Sequence, residues 1–179
     1  MLQINIPGRE FWDEKKQEFI YSKDYSICLE HSLVSISKWE AKWKKPFLSD
    51  KNEKTREEMV DYVKCMTITQ NVDKEAYNNL TNRNLKEIKD YIDDSMTATW
   101  FTEDKSKKEK NREQITSELI YYWMIASQIP FECQKWHLNR LLTLIKICSI
   151  KNSPKKKMSK QDIMKRNTAL HNARKKKHG

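Results

Sequence analysis

At 179 residues with a formal charge of +10, the chain is long enough to bury one ordinary core and strongly basic. Its two glycines, Gly8 and Gly179, argue against phosphate-cradling loops, dinucleotide folds, sandwiches and barrels, all of which need glycine where the backbone turns tightly. No apolar run approaches the ~18–20 residues of a membrane span, and Cys28, Cys65, Cys133 and Cys148 have no close pairing, so they read as reduced core thiols of a soluble cytoplasmic protein.

In chain order, Leu2-Gln3-Ile4-Asn5-Ile6 alternates apolar and polar before Pro7-Gly8, and Glu18-Phe19-Ile20-Tyr21-Ser22 is a second extended run. Together they predict a small β-hairpin over residues 1–22, with Phe11 and Trp12 packing over it from the connection. From Ser26 the period turns helical, with Leu29, Leu33, Ile36 and Trp43 on one stripe, Trp39 beside it, and Pro46 as the stop. Thr55-Arg56-Glu57-Glu58 reads as a capping box for a second helix carrying Met59, Val63 and Met66. Asp73 and Thr81 are N-caps for two shorter helices, the latter using Leu85, Ile88 and Ile92.

Residues 103–112 contain no apolar side chain and predict a mobile charged loop. The densest apolar block follows. A helix from about Gln114 to Ser127 carries Ile115, Leu119, Tyr122 and Trp123. Pro130 breaks it, and a second helix from about Phe131 places Gln134, Leu138, Leu141, Ile145 and Cys148 in a 4-3-4-3 spacing. A short joint between two amphipathic helices predicts a helical hairpin at the heart of the core. The expected fold is therefore mainly α: one helical domain over 1–150 with an N-terminal β-hairpin, and a basic, weakly helical tail over 151–179. Up to residue 150 acids and bases balance. Beyond it eleven Lys and Arg face Asp162 alone, and only Ile163, Met164 and Leu170 supply an apolar strip.

Chemistry-bearing patterns are few. Cys28-x2-His31 and Cys133-x3-His137 offer two thiols and two imidazoles for a tetrahedral zinc site. Both pairs fall in expected helices, where two-residue spacing points side chains to different faces. Two buried cysteines beside two surface histidines is the better reading, so no metal or cofactor is expected. The acid pairs Glu57-Glu58 and Asp93-Asp94 are matched by basic residues along helix faces, and no nucleophile motif is present, which reads as no enzyme.

Six tryptophans are the remaining resource. Trp39 and Trp43 lie four apart among Lys38, Lys42, Lys44 and Lys45, a loose match to a base-stacking platform and a closer one to a protein-binding face or plain core. Met59, Met66, Met124 and Trp136 are candidates for an adaptable apolar face, and each suits a core equally. Lys155, Lys156 and Lys157 are the tail residues best placed to grip an acidic partner or phosphates.

The block Ser117-Glu118-Leu119-Ile120-Tyr121-Tyr122-Trp123-Met124-Ile125, followed by Ile129-Pro130-Phe131-Glu132-Cys133-Gln134-Lys135-Trp136-His137-Leu138-Asn139-Arg140-Leu141-Leu142, resembles a family of small proteins from long-tailed bacteriophages of Gram-positive hosts. Leu29-Glu30-His31-Ser32-Leu33-Val34-Ser35 with Lys38-Trp39-Glu40, Cys65-Met66-Thr67-Ile68-Thr69-Gln70-Asn71-Val72-Asp73, Met96-Thr97-Ala98-Thr99-Trp100-Phe101 and Asn152-Ser153-Pro154 agree with it, so the resemblance covers nearly the whole chain. It implies a tail-assembly chaperone that binds the tape-measure protein and keeps it soluble while tail-tube subunits assemble. Such a chaperone works in the host cytoplasm, is absent from the finished virion, and is often made also as a longer frameshifted form. Tail-tube subunits and further copies of the chain are additional candidate partners. A nucleic-acid-binding phage protein using the basic tail is the alternative.

Overall fold

The computed structural model describes residues 1–14, 17–49, 54–101, 114–153, 164–171 and 174, and for Phe11 and Asp13 the backbone only. The charged stretch 103–112 and Lys155, Lys156 and Lys157 lie outside these residues. Two compact units emerge, Met1–Cys148 and Ser149–Gly179. The chain is mainly helical with a small N-terminal antiparallel β element.

That element is built differently from the expected hairpin. Strands β1 (Leu2–Ile6) and β2 (Glu10–Asp13) are followed by β3 (Glu18–Tyr21) and β4 (Tyr25–Leu29). β1 pairs with β4, aligning Ile4 with Ile27 and Leu2 with Leu29, while β2 pairs with β3, aligning Trp12 with Phe19. The result is one nested ribbon. Its break is bridged by Ser22 N donating to Arg9 O at 2.9 Å and by Gly8 N donating to Asp24 Oδ1 at 2.6 Å. The strands cross so closely there that a Cβ on Gly8 would sit 1.9 Å from the Ser22 carbonyl oxygen.

β4 overturns the expected helix start at Ser26. Ile27 and Leu29 are buried and alternate with exposed Ser26 and half-buried Cys28, the period-2 pattern of a half-covered strand. The segment after the second helix edges it, with Glu30 N donating to Met66 O, Ile68 N to Cys28 O and Cys28 N to Thr69 Oγ1. Helix α1 (Leu33–Trp43) then starts behind Ser32, whose hydroxyl accepts from Ser35 N. It ends at Lys44 in the left-handed conformation (φ 54°), ahead of Pro46.

α2 (Arg56–Met66) and α3 (Asn82–Asp93) begin at the expected caps, Thr55 and Thr81, each closing a capping box. Asp73 caps a 3₁₀ segment, Lys74–Asn79. α4 (Ser117–Ala126) is capped by Thr116 and packs mainly against α1, so it does not form a helical hairpin with the last helix. A second 3₁₀ segment, Phe131–Lys135, precedes α5 (Leu138–Asn152). The helix expected from Phe131 is thus interrupted, because Leu138 N donates to His31 O at 2.8 Å and His137 bridges Ser32, tying the start of α5 to the joint before α1.

The core gathers one face of β1 and β4 (Ile4, Ile6, Ile27, Leu29) with Leu33, Ile36 and Trp39 of α1, Tyr62, Val63 and Met66 of α2, Ile88 of α3, Ile120 and Met124 of α4, and Leu138 and Leu141 of α5. In the second unit, residues 164–171 are helical with Met164 and Leu170 exposed, and Thr168 Oγ1 donates to Met164 O at 2.9 Å. Among the described residues no helix is long and apolar enough to cross a membrane.

Candidate partner-binding surface

The Trp39/Trp43 site folds inward. Trp39 is buried, and its Nε1–H donates to the Glu58 carbonyl at 2.9 Å. Trp43 stacks on it with ring centroids 6.3 Å apart, and its Nε1–H donates to Asp61 Oδ2 at 3.1 Å. Burial pushes the Asp61 carboxyl up, but Lys42, then Lys64 and the Trp43 N–H, hold it below the usual carboxylate range. Lys45, bonded to Glu58 at 2.6 Å, draws that carboxyl down as well, helped by the Thr55 amide. Lys42, Lys45, Trp39 and Trp43 thus join α1 to α2, and the two tryptophans do not stand out as a base-stacking platform.

The methionines divide. Met66 and Met124 are interior, whereas Met59 is half-buried. Trp136 is half-buried beneath the Arg140 guanidinium, 4.3 Å from the ring centroid. These residues form no single face.

The histidines correct the expectation of a solvated pair. His31 is 2% and His137 6% exposed, with ring centroids 5.0 Å apart. Tyr62 Oη lies 2.5 Å from His31 Nδ1. His137 Nε2 donates to the Tyr91 carbonyl at 3.0 Å, which leaves Nδ1 an acceptor without a hydrogen-bond partner. Burial first, then the neighbouring His137, lowers His31 to about 3, and burial lowers His137 despite its bond to Tyr91, so both rings are neutral at physiological pH. Tyr91 Oη in turn donates to Glu30 Oε1 at 2.6 Å, and Glu30 Oε2 lies 3.3 Å from the Met1 ammonium. This network braces the place where β4, α2, α3 and α5 meet. Cys133 is buried and Cys28 half-buried, and among the described residues no three His, Cys, Asp or Glu side chains converge to hold a metal ion.

What the molecule does present is apolar surface that the sequence reading assigned elsewhere. On the ribbon, register places Glu10, Trp12, Phe19 and Tyr21 on one face. The three aromatics are exposed, and Trp12 and Phe19 meet edge-to-face at 4.9 Å. Ile20 and Tyr21 help line a groove of 690 Å³ against Asp73 and the 3₁₀ segment it caps. Trp100 is also exposed.

α4 carries the third set. Residues 119–125 are seven consecutive apolar side chains, too many for one face. Ile120 and Met124 point into the core, so the buried stripe is rotated from the one expected through Leu119 and Tyr122. Tyr122 and Ile125 point out, 63% and 61% exposed, and Phe131 beyond them is 53% exposed. The run of apolar residues longer than half a turn was the available signal for this second face.

No family model, curated protein or solved structure matches this chain.

Proposed function

We propose that the chain is a non-enzymatic phage tail-assembly chaperone, which binds the tape-measure protein in the host cytoplasm and keeps it soluble while the tail tube assembles. The observation that carries this reading is α4, a helix apolar on both sides with its outer side open. A helix of that kind is normally enclosed by protein, and on this reading a partner supplies the second wall. Long helical chains with apolar stripes aggregate unless shielded, and exposed aromatic and aliphatic surface is what shields them. The Ser117–Ile125 stretch within this helix is also one of the several stretches through which the sequence resembles the phage family.

Co-expression tests the reading. The tape-measure protein should stay soluble and co-purify with this chain, and precipitate when expressed alone. Its failure to co-purify would overturn the proposal. The competing reading, nucleic-acid binding through residues 151–179, rests on their charge alone. It requires DNA affinity that falls by orders of magnitude between about 50 and 200 mM salt and disappears when that tail is deleted.

A further inference from the structure

We infer that the exposed side of α5, with Trp100 and Phe101 laid beside it, is a binding surface for single-stranded nucleic acid. The inference goes beyond the chaperone reading and places no contact in the 151–179 tail.

Two stretches distant in sequence build the surface. Asn139 Nδ2, in the first turn of α5, donates to Ile92 O at 3.0 Å and to Asp94 O at 2.7 Å, which brings the chain leaving α3 onto the helix. About two turns further along α5, the Lys146 ammonium lies 4.1 Å from the centroid of the Phe101 ring. Residues 94–101 are thus held to α5 at both ends. Trp100, next to the anchored Phe101, is 93% exposed. At the start of the helix the Arg140 guanidinium lies over the Trp136 ring, and Arg140 and Lys135 are themselves exposed.

Charge and ring chemistry choose the occupant. Across residues 95–101 and 133–153 the charged side chains are Lys135, Arg140, Lys146 and Lys151, with no Asp or Glu. Among the described residues none of Lys135, Arg140 and Lys146 is in an ion pair. The lysines beside Trp39 and Trp43 differ in this respect, since Lys42 and Lys45 are paired with Asp61 and Glu58. The bordering acids, Asp93, Asp94 and Glu132, precede α5, and Asp94 Oδ1 is taken by the Met96 amide at 2.9 Å. Unpaired cations on one surface call for an anion. A nucleic-acid strand brings regularly spaced phosphates for them, and its free bases bring π-faces for Trp100 and for the Arg140 guanidinium. That pairing of cations with stacking rings is how single strands are held without sequence preference. An acidic polypeptide would meet the charge and leave Trp100 without a stacking partner. A duplex keeps its bases stacked on one another and would use the charge alone.

The test is fluorescence anisotropy of the full chain with a labelled thymidine strand of about 16 nucleotides, against an abasic strand of the same length. Polyglutamate serves as the competitor. The strand with bases should bind at least about fivefold more tightly, the worth of one stacked base. Trp100→Ala should remove most of that preference with unchanged circular dichroism, because the ring is exposed. Arg140→Gln/Lys146→Gln should weaken both strands and reduce the slope of log affinity against log salt by about 1.4, or ~0.7 for each cation. Lys155→Gln/Lys156→Gln/Lys157→Gln should weaken both strands equally and leave the preference for bases intact. The inference is overturned by absence of binding, by equal affinity for the two strands, or by a preference that is unchanged in Trp100→Ala or lost in the tail variant. An unchanged salt slope in the Arg140/Lys146 variant overturns it too. So does polyglutamate that displaces the labelled strand as readily as unlabelled strand does, which would mark an acidic protein as the ligand. None of these results bears on capture of the tape-measure protein, so either reading can fail alone.

Discussion

Replacing Glu40 measures how firmly α4 is fastened to the rest of the core. The Glu40 carboxylate is 8% exposed and accepts two backbone N–H groups, Phe47 at 2.7 Å through Oε1 and Ser117 at 2.8 Å through Oε2. Both donors belong to buried residues, and Ser117 opens α4, where the aligned peptide dipoles favour an anion. Glu40→Ala strands both donors without solvent. A hydrogen bond to a charged group is worth about 1.5–3 kcal/mol, so the loss of two should total about 3–6 kcal/mol. For a chain of this size that is a fall in melting temperature of about 10 °C. Glu40→Gln keeps the shape but offers one acceptor and turns an NH₂ toward the other donor, so it should lose at least half as much. Calorimetry and urea titration of the three proteins read this directly. If both variants stay within about 0.5 kcal/mol of the wild type, the size of a neutral surface substitution, the bridge does not hold α4 and the reasoning is refuted.

Other perturbations reach the rest of the frame. Acid should destabilise the protein first through its histidines: unfolded His31 takes a proton near pH 6.5 while the folded ring resists to about pH 3, so stability is full above pH 6.5 and falls as pH drops. The loss from His31 alone should reach about 2 kcal/mol by pH 5, before carboxylates titrate, and His137 adds in the same direction; urea midpoints that are flat from pH 7 to 5 would contradict this. Tyr62→Phe leaves His31 Nδ1 without its 2.5 Å partner and should cost about 1–3 kcal/mol in chemical denaturation. Gly8→Ala drives a methyl group against the Ser22 carbonyl and should cost about 1–3 kcal/mol, with faster hydrogen exchange at Ser22 as the local signature.

The parts of the fold legible in the sequence were those fixed by local chemistry. Thr55, Asp73 and Thr81 cap the elements they were expected to cap, because a side-chain oxygen two or three residues ahead of an orphan N–H needs nothing from elsewhere in the chain. The errors lie where a distant partner decides. Leu29, Leu33 and Ile36 follow a helical spacing by coincidence, and only pairing with β1 turns Tyr25–Leu29 into a strand. The helix expected from Phe131 loses about its first two turns to a 3₁₀ segment and the bridge between His137 and Ser32. Histidine is as common outside as inside, and nothing local to Cys28-x2-His31 announces that Tyr62 will meet the ring. The candidate surface was misplaced for a related reason. Residue type alone does not separate the two faces: Trp39, Met66 and Met124 are interior, while Tyr122 and Ile125, on the same helix as Met124, and Phe131 beyond it face out.

The joint between Leu138 and His31 has a kinetic consequence. Its backbone hydrogen bond ties the start of α5 to the end of β4 across more than half the chain, and β4 is itself the partner of the first strand. During synthesis the ribbon and α1 to α3 can assemble as each is made, but the floor beneath them is laid only when residue 138 has left the ribosome. Until then Leu29, Leu33 and Ile36 lack part of their cover, and the closing step carries the entropy of a very long loop. A chain truncated before α5 should therefore collapse without locking. For a protein whose proposed task is to keep another chain from aggregating, the interval in which it is itself unprotected ends only with the last helix of its core.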